Sequence, residues 1–270
     1  MTNGIERPRV DLGTEDLIFE IEGATAWLTF NRPQARNAMT WAMYEGLHAA
    51  CERVDADEAI RVFALRGAGD RAFVSGTDIS QFQAFRTADD ALSYERNVNR
   101  YANRLEAVQK PTIAMIHGYC VGGGAAIAMA CDLRIACRDA KFGVPIARTL
   151  GNTLSAQNLA RLVALVGPAR AKEIIFTARF IEAEEGKATG LFTEVVETDH
   201  LESRTRELAL LIASHAPLTL RSAKEGVRRL LMQGRIEETP DLYLMCYLSE
   251  DFKEGVSAFL EKRPPQWKGR

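Results

Sequence analysis

The stretch from Pro111 to Ala136 constrains the fold more than any other part of the chain. A buried strand, Thr112–Ile116, is expected after Pro111, and three consecutive glycines, Gly122-Gly123-Gly124, open into the small apolar segment 125–130. Residues 133–136 are again strand-like. Strand, glycine turn, helix and strand in succession predict an α/β fold with largely parallel pairing. Upstream, the apolar runs 17–21 and 26–30 flank Glu22-Gly23 and predict a hairpin, which Pro33 brings to an end. Thr40 is placed to cap a helix running to about Val54, with Met43, Leu47 and Cys51 on one face. Residues 62–65 and 72–76 read as strands and 88–108 as a helix. From Gly167 onward the pattern changes. Helices are predicted over 169–176, 183–188, 200–214, 218–231, 240–248 and 252–260, with one strand near 193–196.

Composition narrows the class. The chain has 270 residues, 47% hydrophobic and 26% charged, enough for one large domain or a domain with an appendage. Its 34 Lys and Arg against 36 Asp and Glu leave a formal charge of −2, which argues against a nucleic-acid footprint but allows a local basic pocket. Five cysteines (Cys51, Cys120, Cys131, Cys137, Cys246) show no CxxC spacing and mostly lie in apolar surroundings. They are expected to be buried free thiols in a reducing compartment, and no metal site is expected. The polar N-terminus lacks the apolar core of a signal peptide, and no run is long enough for a membrane span. The expectation is a cytoplasmic protein with no nucleic-acid or membrane partner.

Chemistry concentrates at two turns. The glycine triplet lets main-chain N–H groups come close to a ligand at a helix N-terminus, where negative charge is stabilised. Ser75-Gly76-Thr77-Asp78 is a second tight turn after a strand. If the two converge, one N–H from each makes an oxyanion hole. The triplet matches neither a P-loop nor GxGxxG. The ordered set Asn31-Arg32-Pro33, Asn37-Ala38, Phe73-x-Ser75-Gly76-Thr77-Asp78-Ile79, His117-Gly118-x3-Gly122-Gly123-Gly124, Cys131-Asp132-x-Arg134-Ile135-Ala136 and Phe142-Gly143-x-Pro145 resembles the crotonase, or enoyl-CoA hydratase/isomerase, family. A terminal stretch, Ala258-Phe259-Leu260-Glu261-Lys262-Arg263-x-Pro265-x-Trp267, looks like that family's ending, so the likeness covers roughly residues 15–268.

The resemblance implies a polar arm over 1–14, a spiral of ββα units over 15–198, and a C-terminal helical trimerisation region over 199–270, assembled as a homotrimer or a hexamer. It implies acyl-CoA substrates in fatty acid metabolism, by lyase or isomerase chemistry, with coenzyme A arriving as part of the substrate and no separate cofactor. The motif puts the oxyanion donors on Thr77 and Gly123. It puts the coenzyme A channel along Ser75, Gly76, Asp78, Ile79 and Ser80, beside Gly122, with Arg36, Asn37 and Ala38 nearby. Lys262 is a candidate phosphate contact reaching across a subunit boundary. The two glutamates by which the family's hydratases activate water fall on Ala126 and Ile146 here. No Asp or Glu lies between Glu106 and Asp132, or between Asp139 and Glu173, so no shift of register restores them. Ala and Ile move no protons. Arg148, Asn152, Thr149 and Gln157 of the departing loop, or Asp78, are the polar candidates, Arg148 and Asn152 first. The readings left open are a family enzyme acting without that pair, a decarboxylase, isomerase or hydrolase on the same scaffold, and a CoA-binding protein without turnover.

Overall fold

The computed structural model of the chain describes residues 10–232, 240, 244 and 247–266. The hairpin forms as expected. β1 (Leu17–Glu22) runs antiparallel to β2 (Thr25–Phe30), with Leu17 opposite Phe30 and Gly23 at φ +58° in the turn. α1 (Trp41–Ala56) starts where the Thr40 hydroxyl accepts from the Met43 N–H at 3.2 Å.

The chain then repeats one unit three times. β3 (Val62–Gly67) turns into β4 (Ala72–Val74) and continues to α2 (Ala88–Glu106). β5 (Thr112–Ile116) turns into β6 (Tyr119–Val121) and α3 (Gly123–Ala130). β7 (Leu133–Cys137) turns into β8 (Lys141–Gly143) and the short α4 (Ile146–Thr149). The first strands of the units pair in parallel with one another, and so do the second strands. This winds the chain into a spiral with two sheets. The larger has the order β1-β2-β3-β5-β7-β10, closed by β10 (Glu194–Val196); the smaller is β4-β6-β8-β9, closed by the antiparallel β9 (Ile181–Glu182).

The central strands are mostly apolar because both faces of the large sheet are covered. Trp27, Val62, Ala64, Ile113, Met115 and Ile135 pack beneath α7 (Leu201–Ala213), against Leu201, Ala209 and Ile212. The alternate positions Ala26, Leu28, Phe30, Phe63, Leu65, Ala114 and Ile116 face the main core with α1 and α2.

Several elements depart from the sequence expectation. The segment 117–124 is not one strand-to-helix turn. It contains a corner at Gly118 (φ +51°), where a Cβ would stand 2.1 Å from the Arg71 carbonyl oxygen, and then β6. Strands as short as β6, β8 and β9 carry no readable period. Helix α5 (Ala156–Thr177) begins well before the predicted residue 169. It is broken at Gly167 (φ 76°, ψ 162°) ahead of Pro168, and that Gly-Pro pair masked its first half. α6 (Ala183–Ala188), α8 (Pro217–Met232) and α9 (Glu250–Leu260) lie close to the expected helices. Cys51, Cys120, Cys131 and Cys137 are buried and free, as expected. Residues 1–9, Cys246, Trp267 and most of the predicted helix 240–248 lie outside the described residues. Among the described residues, no helix is long and apolar enough to cross a membrane.

Candidate active site

The two glycine-bearing turns meet. Met39 bonds on either side of Thr77: its N–H donates to the Gly76 oxygen at 2.8 Å, and its oxygen accepts from the Asp78 N–H at 2.9 Å. In an extended segment the residue between those bonds points its own N–H the other way. The Thr77 N–H is therefore turned toward the start of α3. Gly76 takes φ +116°, a conformation closed to other residues without strain, and a Cβ there would lie 3.8 Å from the Gly123 nitrogen. A Cβ on Gly123 would stand 3.2 Å from the Thr77 nitrogen. As the first residue of α3, Gly123 has no carbonyl one turn back to receive its N–H. Among the described residues, neither the Thr77 nor the Gly123 N–H has an acceptor. Two idle donors at a helix N-terminus form a seat for one partly negative oxygen.

The Thr77 side chain is pinned from behind. Its hydroxyl lies 2.8 Å from the Tyr44 hydroxyl and 3.0 Å from that of Tyr94. Burial pushes the Tyr44 phenol up to about 12 and the Tyr94 phenol well above its usual value, so both stay protonated.

The seat opens into a cavity of about 780 Å³, the size of a small-molecule site. Arg36, Ala38, Ser75, Thr77, Asp78, Ile79, Ser80, Gly122, Gly123, Ala126, Ile146, Thr149, Asn152 and Lys262 all line it. The exposed cations Arg36 and Lys262 share this lining, with the Arg36 guanidinium 5.7 Å from the Tyr119 ring centroid. Asp78 is engaged at both oxygens, by Arg32 Nη1 at 2.7 Å and by the Ser80 N–H and hydroxyl at 3.1 and 2.7 Å. Partial burial opposes its ionisation, but the bonds from Ser80 and Arg32 prevail and hold its carboxyl below the usual range.

Three sequence assignments, Asn37, Arg148 and Gln157, fall outside this lining. Asn37 does not line the cavity. It is fully buried, its amide donates to the Ala68 and Ala72 oxygens at 3.0 and 2.8 Å, and its oxygen accepts from the Arg32 N–H at 2.9 Å. It is a brace between turns. Arg148 is exposed and outside the lining, its guanidinium 5.8 Å from the Phe180 ring centroid, because α4 turns that side chain outward while Ile146 faces inward. Lys262 lines the cavity of its own chain. α9 folds back over this chain, with Phe252 against Phe82 and Phe85 and Gly255 close over Leu150. Gln157 also stays out of the cavity and lines a separate groove along α2.

The structure adds a residue that the sequence reading missed. Glu95, only 5% exposed, reaches the cavity from α2. Tyr247, buried, donates its hydroxyl to the Glu95 carboxylate, and Asn152 Nδ2 stands 3.3 Å from the same hydroxyl. The signal was present. Ala91, Glu95, Val98, Ala102 and Leu105 follow one helical stripe, and Glu95 is the acid in an otherwise apolar row.

These features define a class of protein: an α/β spiral that aims a pair of main-chain amides into a cavity with cations in its lining. Residues 20–270 match the profile of the family described as enoyl-CoA hydratase/isomerase. The chain belongs to this family, within the crotonase superfamily. It is 36% identical over 252 residues to the short-chain-enoyl-CoA hydratase of Clostridium acetobutylicum, covering 92% of this chain and 95% of that one. A crystal structure of an enoyl-CoA hydratase/carnithine racemase from Magnetospirillum magneticum superposes with a TM-score of 0.78 at 36% identity, over 95% of this chain and 97% of that one. Methylmalonyl-CoA decarboxylase in complex with 2-nitronate-propionyl-CoA superposes with a TM-score of 0.87 at 29% identity, over 95% and 99% of the two chains.

Proposed function

We propose that this acyl-CoA-processing enzyme polarises a thioester carbonyl between the Thr77 and Gly123 N–H groups and stabilises the enolate that follows. The single observation carrying this reading is the meeting of two acceptor-free amides inside a ligand-sized cavity. Each such donor is worth about 3–4 kcal/mol of barrier, so the pair supplies much of the catalysis without any side chain. Arg36 and Lys262, cations in the same lining, are the groups that would meet the phosphates of coenzyme A. The positions that carry water-activating glutamates in the family's hydratases hold the buried apolar side chains Ala126 and Ile146, so hydration by that pair is not the reaction. Decarboxylation of a malonyl-type thioester fits less well, because Arg148 stands away from the cavity. Exposed Leu210, Leu211, Leu218, Val227, Leu230 and Leu231 on α7 and α8 support packing of these helices between subunits of a trimer.

Thermal denaturation with butyryl-CoA tests the reading. At a hundredfold excess over Kd, ligand linkage contributes about 2.7 kcal/mol, a rise in Tm of about 5–10 °C for a chain of this size. Arg36→Glu combined with Lys262→Glu should abolish most of that rise at low salt. No shift with any acyl-CoA would refute the proposal.

A further inference from the structure

We propose that Tyr44 and Tyr94 are positioning residues of the oxyanion seat: their hydroxyls grip the Thr77 side chain and so keep the Thr77 N–H aimed at the same oxygen as that of Gly123. The inference rests on the thioester reading above and adds two residues to it.

A main-chain donor asks nothing of the side chain on its own residue, yet at Thr77 that side chain is bonded to two phenols. The Met39 bonds hold the ends of the extended segment at Thr77 but not its rotation about its own length. Gly76, at φ +116° and without a side chain, does not resist that rotation. A hydrogen bond weakens steeply as its donor turns off line, so this rotation sets the strength of the seat. Thr77 is β-branched and has few rotamers, so fixing its hydroxyl fixes the residue.

The grip is rigid. Tyr44, from α1, stacks on Tyr101 of α2 with 5.3 Å between ring centroids. Tyr94, from α2, meets Phe82 edge-on at 4.8 Å, and the Trp41 ring lies 5.7 Å from both tyrosines. Counting protons gives the direction of the bonds. The hydroxyls of Tyr44, Thr77 and Tyr94 carry three protons and make two contacts, and among the described residues they have no other partner. One proton is left over. Tyr44 is 1% exposed and outside the cavity lining, whereas Thr77 and Tyr94 belong to it. A buried donor without an acceptor is costly, so the spare proton falls to Thr77 or Tyr94. In either case Tyr44 donates to Thr77.

The test uses the full chain and acetoacetyl-CoA, a 1,3-dicarbonyl thioester whose enolate absorbs in the ultraviolet. The pH at which the bound probe ionises reports how well the seat holds a negative oxygen. Wild type should ionise it at lower pH than free solution does. Thr77→Val keeps the N–H and the shape but drops the hydroxyl. It should lose about three- to tenfold in preference for the enolate, a rise of about 0.5–1 pKa unit in the bound probe. Tyr44→Phe and Tyr94→Phe should each move the probe the same way, and Thr77→Ser, which retains the hydroxyl, should stay near wild type. Butyryl-CoA, bound as a neutral thioester, should keep its Kd within threefold in every variant, a split that a merely structural role would not give. Its melting shift also establishes that each variant is folded. The proposal is overturned if folded Thr77→Val and Tyr44→Phe ionise the probe at the wild-type pH. It is equally overturned if butyryl-CoA affinity falls in step with the enolate preference. Should wild type bind acetoacetyl-CoA without easing its ionisation, the amide pair itself fails, and the positioning role with it.

Discussion

Replacing Gly123 by alanine puts a single methyl group where the carbonyl oxygen of the substrate is expected. The added Cβ would stand 3.2 Å from both the nitrogen and the hydroxyl oxygen of Thr77, and 2.7 Å from the Tyr44 hydroxyl. The first distance is close to that of an oxygen accepting from the Thr77 N–H, so the methyl occupies the seat. The last is a collision, and Tyr44, fully buried, must give way and loosen its bond to Thr77. Overpacking of this kind costs about 1–3 kcal/mol, a loss of about 2–12 °C in Tm, which leaves the chain folded. The effect on chemistry should be larger. Losing one oxyanion donor costs about 2.7–4 kcal/mol of barrier, or 10²–10³-fold in kcat. The assay is turnover of an acyl-CoA thioester in parallel with a thermal melt. A folded Gly123→Ala protein with kcat within threefold of wild type would falsify the amide pair as the catalytic seat.

Two further outcomes concern stability. Asn37→Ala leaves the Arg32 N–H and the Ala68 and Ala72 carbonyls without their partner. At about 1–3 kcal/mol for each buried group left unsatisfied, chemical denaturation should show a loss of several kcal/mol, whereas a cavity-lining role would leave the midpoint unchanged. Burial pushes the His117 imidazole below its usual 6.5, against the opposing pull of Asp139, Asp70 and the Gly69 backbone. The unfolded chain then binds a proton that the native one refuses. That stability is fully present above about pH 6.5 and declines as pH falls below it. His117→Gln should flatten the drop in Tm between pH 7 and 5, a window above the range of Asp78, Glu45 and Glu173, whose carboxyls are all held low. An unchanged slope would refute the assignment.

Much of the fold is legible in the chain because its cues are local. The apolar runs of β1 and β2 beside the Glu22-Gly23 turn, the Thr40 cap and the glycine triplet each act within a few residues. The short strands β6, β8 and β9 are not legible, because their pairing partners, not their own residues, make them strands. At the site, the motif singles out Thr77 and Gly123, which the fold brings together, but not the outward turn of Arg148 or the bracing bonds of Asn37. A spacing rule cannot tell which way a four-residue helix turns a side chain, or that an amide is fully engaged by three backbone groups.

Taken alone, then, the amino-acid order determined the α/β winding, the two bends, and the apolar side chains at 126 and 146, since each depends on residue type and near neighbours. Tertiary structure decided what those bends enclose. Only the docking of α2, and of α9 with the residues just past it, brings Glu95 and Lys262 to a cavity formed by residues far away in the chain. A helix stripe records that a side chain faces inward, and the packing of distant elements fixes what it faces.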